Sequence, residues 1–168
     1  MVGTVSYLPG VGKGLLAAIA LLACMLPCRP ATAGQADCVE LAAERYGLPV
    51  SLIRVILKVE GGRVGLAGNN KNGTQDIGPM QINTVWMPLL ARYGITREQL
   101  QNDRCINILA GSWILGRQFK AAMKLEGSDQ RRFWWAIGAY HSRTPRHNVK
   151  YALKVWRAMQ AETRIDGK

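Results

Sequence analysis

The sequence has few of the residues on which metal and nucleophile chemistry depends. Its 168 residues include only two histidines and four cysteines. No His-Glu-x-x-His or Cys-x-x-Cys pattern occurs, and His141 and His147 lie six residues apart across Pro145, which is not a spacing for two metal ligands on one helix face. Gly-x-Ser-x-Gly and dinucleotide-binding glycine patterns are also absent. We therefore expect no metal site, no cofactor and no serine hydrolase.

Acidic residues are scarce as well. The chain has 11 Asp and Glu against 22 Lys and Arg, which gives a formal net charge of +11. A strongly basic surface favours an anionic partner, of which nucleic acid is one and an anionic cell-wall polymer is another. Charge alone does not choose between them. The length and the 48% of hydrophobic residues predict one folded domain with its own core.

The apolar segment near the N-terminus is too short to span a bilayer. It covers 15 uncharged residues, Gly14 to Cys28, after Lys13, whereas a span needs about 20 residues. Ala31-Thr32-Ala33 then provides a small-x-small cleavage signal. We therefore predict a signal peptide over residues 1–33 and export of residues 34–168 to the periplasm.

Cleavage changes both the charge and the cysteine count. It leaves 20 Lys and Arg against 11 acids, a net charge of about +9. Cys38 and Cys105 remain as an even pair in an exported chain, for which we predict a disulfide. Two buried free thiols are the alternative. The string that ends at Cys24 also offers a weaker alternative for the leader, which is a lipoprotein anchored at Cys24.

Glu60 is the residue around which the rest of the chain is arranged. Leu52, Ile53, Ile56 and Leu57 precede it at positions that share its helix face. Apolar surroundings raise the pKa of a carboxyl group. A carboxylic acid that stays protonated near neutral pH can act as a general acid. The alternative is a glutamate that reaches solvent from a helix end, as most glutamates do.

A loop rich in glycine and asparagine follows Glu60. Residues 61–78 include six glycines and three asparagines, and we expect at most a small β-hairpin there. The loop leads into Gly78-Pro79-Met80-Gln81-Ile82-Asn83, here called the 78–83 segment. Asp76 lies just before it. We predict that Asp76 is a turn residue whose side chain accepts hydrogen bonds from nearby backbone, rather than a second catalytic carboxylate.

The remaining patterns predict helix after helix, each with a start or stop signal. We predict helices over 38–46 with Asp37 as cap and Gly47 as stop, from Pro49 to Glu60, and over 82–93 with a break near Pro88. A short helix follows the Thr96–Gln99 capping box, and a long one runs from 104 to about 125 with Asp103 as cap. Two more helices run through Tyr140, with Ser128 or Asp129 as cap, and over 149–162, with Asn148 as cap and Ala152, Val155, Trp156 and Met159 facing inward.

The apolar helix ending in Glu60, the loop, the 78–83 segment and a later Ala139-Tyr140-His141-Ser142 together resemble the lytic transglycosylases with a goose-lysozyme-like catalytic domain. These enzymes cleave the glycan strands of peptidoglycan. The resemblance covers roughly Cys38 to Trp156 and is closest to small members associated with conjugation, secretion and pilus machines. It implies a mainly α, lysozyme-like single domain that acts as a monomer without a cofactor. It also implies peptidoglycan as the partner, possible contacts with such a machine, and no role for nucleic acid.

The resemblance also implies roles for particular residues. Glu60 would protonate the leaving oxygen and then deprotonate the muramic 6-hydroxyl, closing a 1,6-anhydro ring without water. Three residues of the 78–83 segment, Met80, Gln81 and Asn83, would line the cleft. Tyr140 would pack against the glycan or support that segment, His141 stands where many relatives have Asn, and Tyr151 matches a tyrosine that hydrogen-bonds the glutamate. The sequence departs from the family pattern at Gly61-Gly62, Pro79 and His141.

Two other functions stay open at this point. One is a muramidase that hydrolyses the same bond, and the other is a non-catalytic cationic adaptor that binds glycan or nucleic acid. Arg146, Lys150, Lys154 and Arg157 recur at three- and four-residue spacing, which predicts a basic, solvated helix face opposite Trp156 and Ala152. We expect this face to help hold the domain to the anionic wall.

Overall fold

The protein is described here by a computed structural model, which covers residues 37–166 and side chains as far as residue 162. The predicted signal peptide and Cys24 lie outside the described residues. The described part is mainly α-helical, as predicted. Its seven α-helices, in chain order, are α1 Cys38–Tyr46, α2 Val50–Glu60, α3 Met87–Ala91, α4 Arg97–Asn102, α5 Arg104–Ala122, α6 Asp129–His141 and α7 Pro145–Asp166. None of the helices in this part of the chain is long and apolar enough to cross a membrane.

Side-chain caps at four helix starts confirm the sequence signals. Asp37 accepts a hydrogen bond from the backbone of Val39, and Asp103 and Ser128 cap α5 and α6 in the same way. Thr96 forms the predicted capping box with Gln99 at the start of α4. These caps satisfy backbone N–H groups that have no partner inside the helix. They are local interactions, which is why the sequence predicts them.

The predicted start of the last helix is wrong. α7 begins at Pro145, whose fixed φ suits a first helical position, and the carbonyl of Thr144 accepts the first helical bond from Asn148 N at 2.8 Å. Asn148 is instead buried at 5% exposure and donates to the carbonyl of Trp135 on α6 at 3.0 Å. A methyl group at Gly138 would lie 2.3 Å from Asn148 Oδ1, so glycine lets α6 and α7 approach closely here.

The predicted helix from Ile82 also starts too early. Ile82–Asn83 forms strand β3, which pairs antiparallel with β2, Gln75–Ile77. β2 pairs in turn with β1, Ala67–Asn69, as a hairpin, so the sheet has one strand more than the predicted hairpin. A 3-10 turn, Thr84–Trp86, separates β3 from α3. The side chain of Asn83 accepts a hydrogen bond from Val85 N at 3.0 Å, which starts this turn and ends the strand.

The core lies between α2, α5, the sheet and α7. α2 buries Ile53 and Ile56 completely, and α5 does the same with Ile108 and Leu115. Val155 of α7 is also fully buried, but Trp156, which we predicted to point inward, is 45% exposed. The disulfide between Cys38 and Cys105, the predicted pair, joins α1 to α5. α2 is therefore held on several sides, which fixes the position of Glu60 at its end.

Candidate active site

Glu60 is the last residue of α2, and it faces the protein rather than solvent. The helix ends because Gly61 adopts a left-handed conformation with φ 67° and donates to Leu57 O at 3.0 Å. Burial raises the pKa of Glu60 from its ordinary value of 4.5 to about 7, the direction that the apolar stripe predicts. A hydrogen bond from Tyr151 and the charge of Lys154 lower this pKa, and the charge of Asp76 raises it. The interpretation of Glu60 as a solvated helix-end residue is therefore wrong.

Tyr151 holds the carboxyl group of Glu60 from α7. Its hydroxyl group donates a hydrogen bond to Glu60 Oε1, and its side chain is only 5% exposed. Burial and the charge of Glu60 raise the pKa of Tyr151, so the hydroxyl group remains a donor. The ring of His141 stacks on that of Tyr151, with centroids 5.0 Å apart and planes 5° from parallel. Burial lowers the pKa of His141 below 6.5, which favours a neutral imidazole at neutral pH.

Asp76 lies on the sheet side of Glu60, and its predicted role as a turn residue is wrong. It is the middle residue of β2, opposite Asn83 in the register. Its carboxylate accepts a hydrogen bond from Asn83 Nδ2 at 2.8 Å, and the same nitrogen donates to Thr74 Oγ1 at 2.9 Å. The pairing of β2 with β3, rather than a local turn, sets the direction of this carboxylate.

Glu60 and Asp76 line one cavity of about 360 Å³ between the sheet, α5 and the end of α6, here called the glycan-side cavity. Its wall includes amides, hydroxyl groups and two carboxylates beside several apolar side chains. The predicted site residues that reach it are Gln81, Asn83, Tyr140 and His141. Asn70, Asn72, Thr74, Ile82, Val85, Trp86 and Ile114 complete the lining.

Met80 does not line this cavity, contrary to the expectation from the resemblance. Its side chain is fully buried, and a methyl group at Gly111 of α5 would lie 2.4 Å from Met80 Sδ. An apolar side chain in the middle of the 78–83 segment fills the core and anchors the segment. The carbonyl of Met80 accepts a hydrogen bond from the hydroxyl group of Tyr140 at 2.8 Å, so Tyr140 supports the segment and also lines the cavity.

Gln81 turns its side chain back over the segment. It has a positive φ of 49°, which is uncommon for a residue other than glycine, and its Nε2 donates to Gly78 O at 2.9 Å. A methyl group at Gly62 would lie 2.0 Å from Gly78 O and 2.6 Å from Gln81 Nε2. Glycine is therefore required at position 62, where a side chain would collide with the 78–83 segment.

Asn107, which the sequence analysis missed, is the polar anchor of this region. It lies on α5 and is fully buried. Its Oδ1 accepts from Met80 N at 2.8 Å, and its Nδ2 donates to Ile77 O at 3.0 Å and to Leu100 O at 2.8 Å. The signal in the sequence is an Asn between two isoleucines near the start of α5. Such a residue must find partners when it is buried.

A second cavity, of about 460 Å³, lies on the α7 side of Glu60 and is here called the basic cavity. Lys154 Nζ donates to the carbonyl of Val59 at 2.7 Å, so a cation from α7 caps the C-terminal end of α2. The predicted basic face is exposed, and it lies beside Glu60. Three of its four members line this cavity, and only Arg146 does not. The lining consists of Glu60, His141, His147, Lys150, Tyr151, Lys154 and Arg157.

A larger apolar cavity of about 680 Å³ lies between α6 and α7, away from Glu60. Trp156 opens into it beside Trp134, Trp135, Val149 and Leu153, which explains the exposure of Trp156. Within residues 37–162, no group of three or more His, Cys, Asp and Glu side chains is placed to hold a metal ion. The candidate site is therefore the pair of cavities that share Glu60.

The chain is similar to a known protein family and to several known proteins. The family pattern of the transglycosylase SLT domain matches residues 37–162. Invasion protein IagB of Salmonella typhimurium is 34% identical over 126 residues, which are 72% of this chain and 74% of that protein. Protein IpgF of Shigella flexneri is 33% identical over 142 residues, covering 82% and 86% of the two chains. X polypeptide of Escherichia coli is 36% identical over 129 residues, covering 73% and 72%. The matched family region contains every residue of the two cavities.

Proposed function

Because this chain belongs to the transglycosylase SLT domain family, whose members are lytic transglycosylases, we propose that it cleaves the β-1,4 bond between N-acetylmuramic acid and N-acetylglucosamine in peptidoglycan. The cleavage leaves a 1,6-anhydro ring on the muramic acid. One observation supports this proposal above all others. Glu60, with a pKa of about 7, is held by Tyr151 at the wall of a cavity that also contains amides, hydroxyl groups and a second carboxylate.

In the first step Glu60 acts as the acid. A carboxyl group with a pKa of about 7 is protonated in about half of the molecules at neutral pH. Because Tyr151 donates to Oε1, the acidic proton belongs on Oε2, which is free to face the glycosidic oxygen. Transfer of this proton breaks the bond between C1 of the muramic acid and the leaving oxygen. The N-acetyl group of the substrate stabilises the positive charge at C1.

In the second step the same residue acts as the base. The Glu60 carboxylate removes the proton from the 6-hydroxyl group of the muramic acid, and the 6-oxygen forms a bond to C1. One C–O bond breaks, one forms, and Glu60 regains its proton, so no water is consumed. Tyr151 donates to the carboxylate between the two steps, which stabilises the charged form. A single glutamate thus serves both steps.

A hydrolytic muramidase is the second candidate, and one observation favours it. Asp76 lines the same cavity as Glu60, and two-carboxylate hydrolysis of glycosidic bonds places a second carboxylate opposite the acid. Its carboxylate already accepts a hydrogen bond from Asn83, which is why we rank it as a supporting group. The products separate the two reactions, since hydrolysis gives a reducing end and the lyase gives an anhydro end.

Product analysis by mass tests the proposal directly. Purified mature protein is incubated with isolated sacculi, and the released muropeptides are identified. Anhydro-muropeptides from the wild type, lost in Glu60→Gln and largely kept in Asp76→Asn, are expected for the single-glutamate lyase. Reducing ends with an equally strict need for Asp76 would assign the muramidase. Release that does not depend on Glu60 would contradict the role of Glu60 as the catalyst, and no release by the wild type would leave only the non-catalytic adaptor.

The setting proposed for this reaction is the periplasm of a bacterium. The predicted signal peptide over residues 1–33 would export a monomeric domain of residues 34–168, which would open the wall locally for a secretion, conjugation or pilus machine. One relative is named an invasion protein, and an association with such a machine is consistent with that name. A mature N-terminus at Gly34 in periplasmic extracts is the expected result, and a diacylated Cys24 would assign the lipoprotein alternative instead.

A further inference from the structure

The basic cavity contains more charge than the proposed reaction uses. Of its seven lining residues, only Glu60 and Tyr151 take part in the chemistry described above. Lys150, Lys154 and Arg157 lie at positions i, i+4 and i+7 of α7, so they project from one face of the helix. Glu60 is the only acidic residue in the lining, and its pKa of about 7 leaves it partly neutral near neutral pH. The cavity is thus strongly electropositive.

Two of these cations have no counter-ion in the described part of the chain. Lys154 is held at Val59 O, at the end of α2. Among the side chains of residues 37–162, none forms an ion pair with Lys150 or Arg157. The nearby Glu162 instead pairs with Lys58 at 3.5 Å. Cations that gather around one cavity repel each other, and an anionic ligand removes that repulsion.

We propose that the basic cavity is a subsite for the carboxylates of the stem peptide on the muramic acid, so that the enzyme prefers peptide-bearing glycan strands. This inference rests on the proposed function, because the glycan must occupy the glycan-side cavity. Both cavities include Glu60 in their lining, so the stem peptide of a muramic acid bound at Glu60 lies within reach of the basic cavity. Arg157 binds a carboxylate with two parallel hydrogen bonds, and Lys150 supplies a point charge.

Binding of the stem peptide in the basic cavity differs measurably from general electrostatic attraction to an anionic wall. General attraction depends on the net charge of the protein and is screened by salt. Binding of a stem peptide in the basic cavity depends on which residues carry the positive charge. Lys120 and Lys124, near the end of α5, are exposed and line neither cavity. Replacing these two lysines removes the same net charge as replacing Lys150 and Arg157, and it therefore provides a matched control.

The experiment compares two substrates with the mature, disulfide-bonded protein. One is a preparation of soluble glycan strands that retain their peptides, and the other is the same preparation treated with an amidase, which leaves a free lactyl carboxylate on each muramic acid. We expect wild-type kcat/KM to be about tenfold higher on the peptide-bearing strands. Lys150→Gln with Arg157→Gln should reduce this ratio to near one, and Lys120→Gln with Lys124→Gln should leave the ratio as in the wild type. Thermal unfolding verifies that both double variants are folded.

The other outcomes overturn the inference in distinguishable ways. A ratio near one for the wild type, with anhydro products from both substrates, ends the inference but leaves the proposed function standing. Equal losses in both double variants that disappear at high salt would assign the charge to general attraction. Absence of anhydro products from either substrate would end the proposed function itself. A duplex oligonucleotide that binds the wild type but not the Lys150 and Arg157 double variant would assign the cavity to nucleic acid, if the wild type also shows no preference for peptide-bearing glycan strands.

Discussion

Tyr151 donates its hydroxyl hydrogen to Oε1 of Glu60 across 91 residues of sequence. The bond joins the second turn of α7 to the last residue of α2. It lowers a pKa that burial raises. It also selects which oxygen of the carboxyl group is left to carry the acidic proton. The same contact therefore sets both the direction and the acidity of the proposed catalyst.

Tyr151→Phe should separate these two effects. Loss of the hydrogen bond removes an influence that lowers the pKa of Glu60, so the alkaline limb of the kcat/KM profile should move to higher pH. Loss of orientation should lower kcat by about 10- to 100-fold at the optimum. A pH profile on soluble glycan strands measures both. An unchanged alkaline limb would mean that the proton-donating group is not the one that Tyr151 contacts.

Lys154 and Asp76 should move the same limb in opposite directions. The ammonium group of Lys154 lowers the pKa of Glu60, and the carboxylate of Asp76 raises it. Because the acid must be protonated, activity is lost as the pH rises through the pKa of Glu60, about 7. Lys154→Met should therefore shift the alkaline limb up, and Asp76→Asn should shift it down. Shifts of the same sign in both variants would contradict this electrostatic account.

The buried amide of Asn107 should matter for stability as much as for activity. Asn107→Ala leaves Met80 N and the carbonyls of Ile77 and Leu100 without their partner. Each unpaired buried polar group costs about 1–3 kcal/mol, so we expect a loss of about 3 kcal/mol or more in the free energy of unfolding. Urea denaturation measures the loss.

The matched control for Asn107 is Gln130→Ala on the exposed side of α6, which should change the free energy of unfolding by less than about 0.5 kcal/mol. Activity should fall in the Asn107 variant even at temperatures where it is folded, because the 78–83 segment loses its anchor. Full activity with normal stability would show that water replaces the amide without cost.

The sequence predicts structural features that depend on neighbouring residues, and it does not predict features that depend on contacts between residues far apart in the chain. The Thr96 capping box and the Asp103 cap form between residues three apart, and both were predictable. Asn148 resembles a cap, because a polar residue precedes an apolar stripe, but contacts with Trp135 and Gly138 on α6 bury it. The local sequence pattern contains no information about the packing of α7 against α6.

The same distinction applies to the site. The helix stripe before Glu60 predicts burial of the carboxyl group, and burial is the largest cause of its raised pKa. Asp76 was misassigned because its direction follows from pairing with Asn83, which is a matter of strand register. The spacing of Lys150, Lys154 and Arg157 predicts one basic face. Only the packing of α7 against α2, 95 residues apart at Lys154 and Val59, brings that face beside Glu60.

The raised pKa of Glu60 also makes a prediction about stability. The unfolded chain loses this proton near pH 4.5, and the folded protein keeps it until about pH 7. Since folding raises the pKa, the stability due to the protonated carboxyl is complete below pH 4.5 and is lost as the pH rises to about 7. At 1.36 kcal/mol per pKa unit, the loss over this shift is at most about 3–4 kcal/mol. Glu60→Gln removes this loss, because an amide does not ionise.

Glu60→Gln should therefore be more stable than the wild type at pH 8, with a midpoint of thermal unfolding higher by roughly 10 °C, and nearly equal to it at pH 4. Calorimetry at both pH values tests this, with Glu126→Gln, an exposed residue, as the control that should differ little from the wild type at either pH. A Glu60 variant that is less stable than the wild type at pH 8 would mean that the folded protein favours the ionised carboxylate. In that case Glu60 would be poorly suited to act first as an acid, and the two-step proton cycle would lose its physical basis.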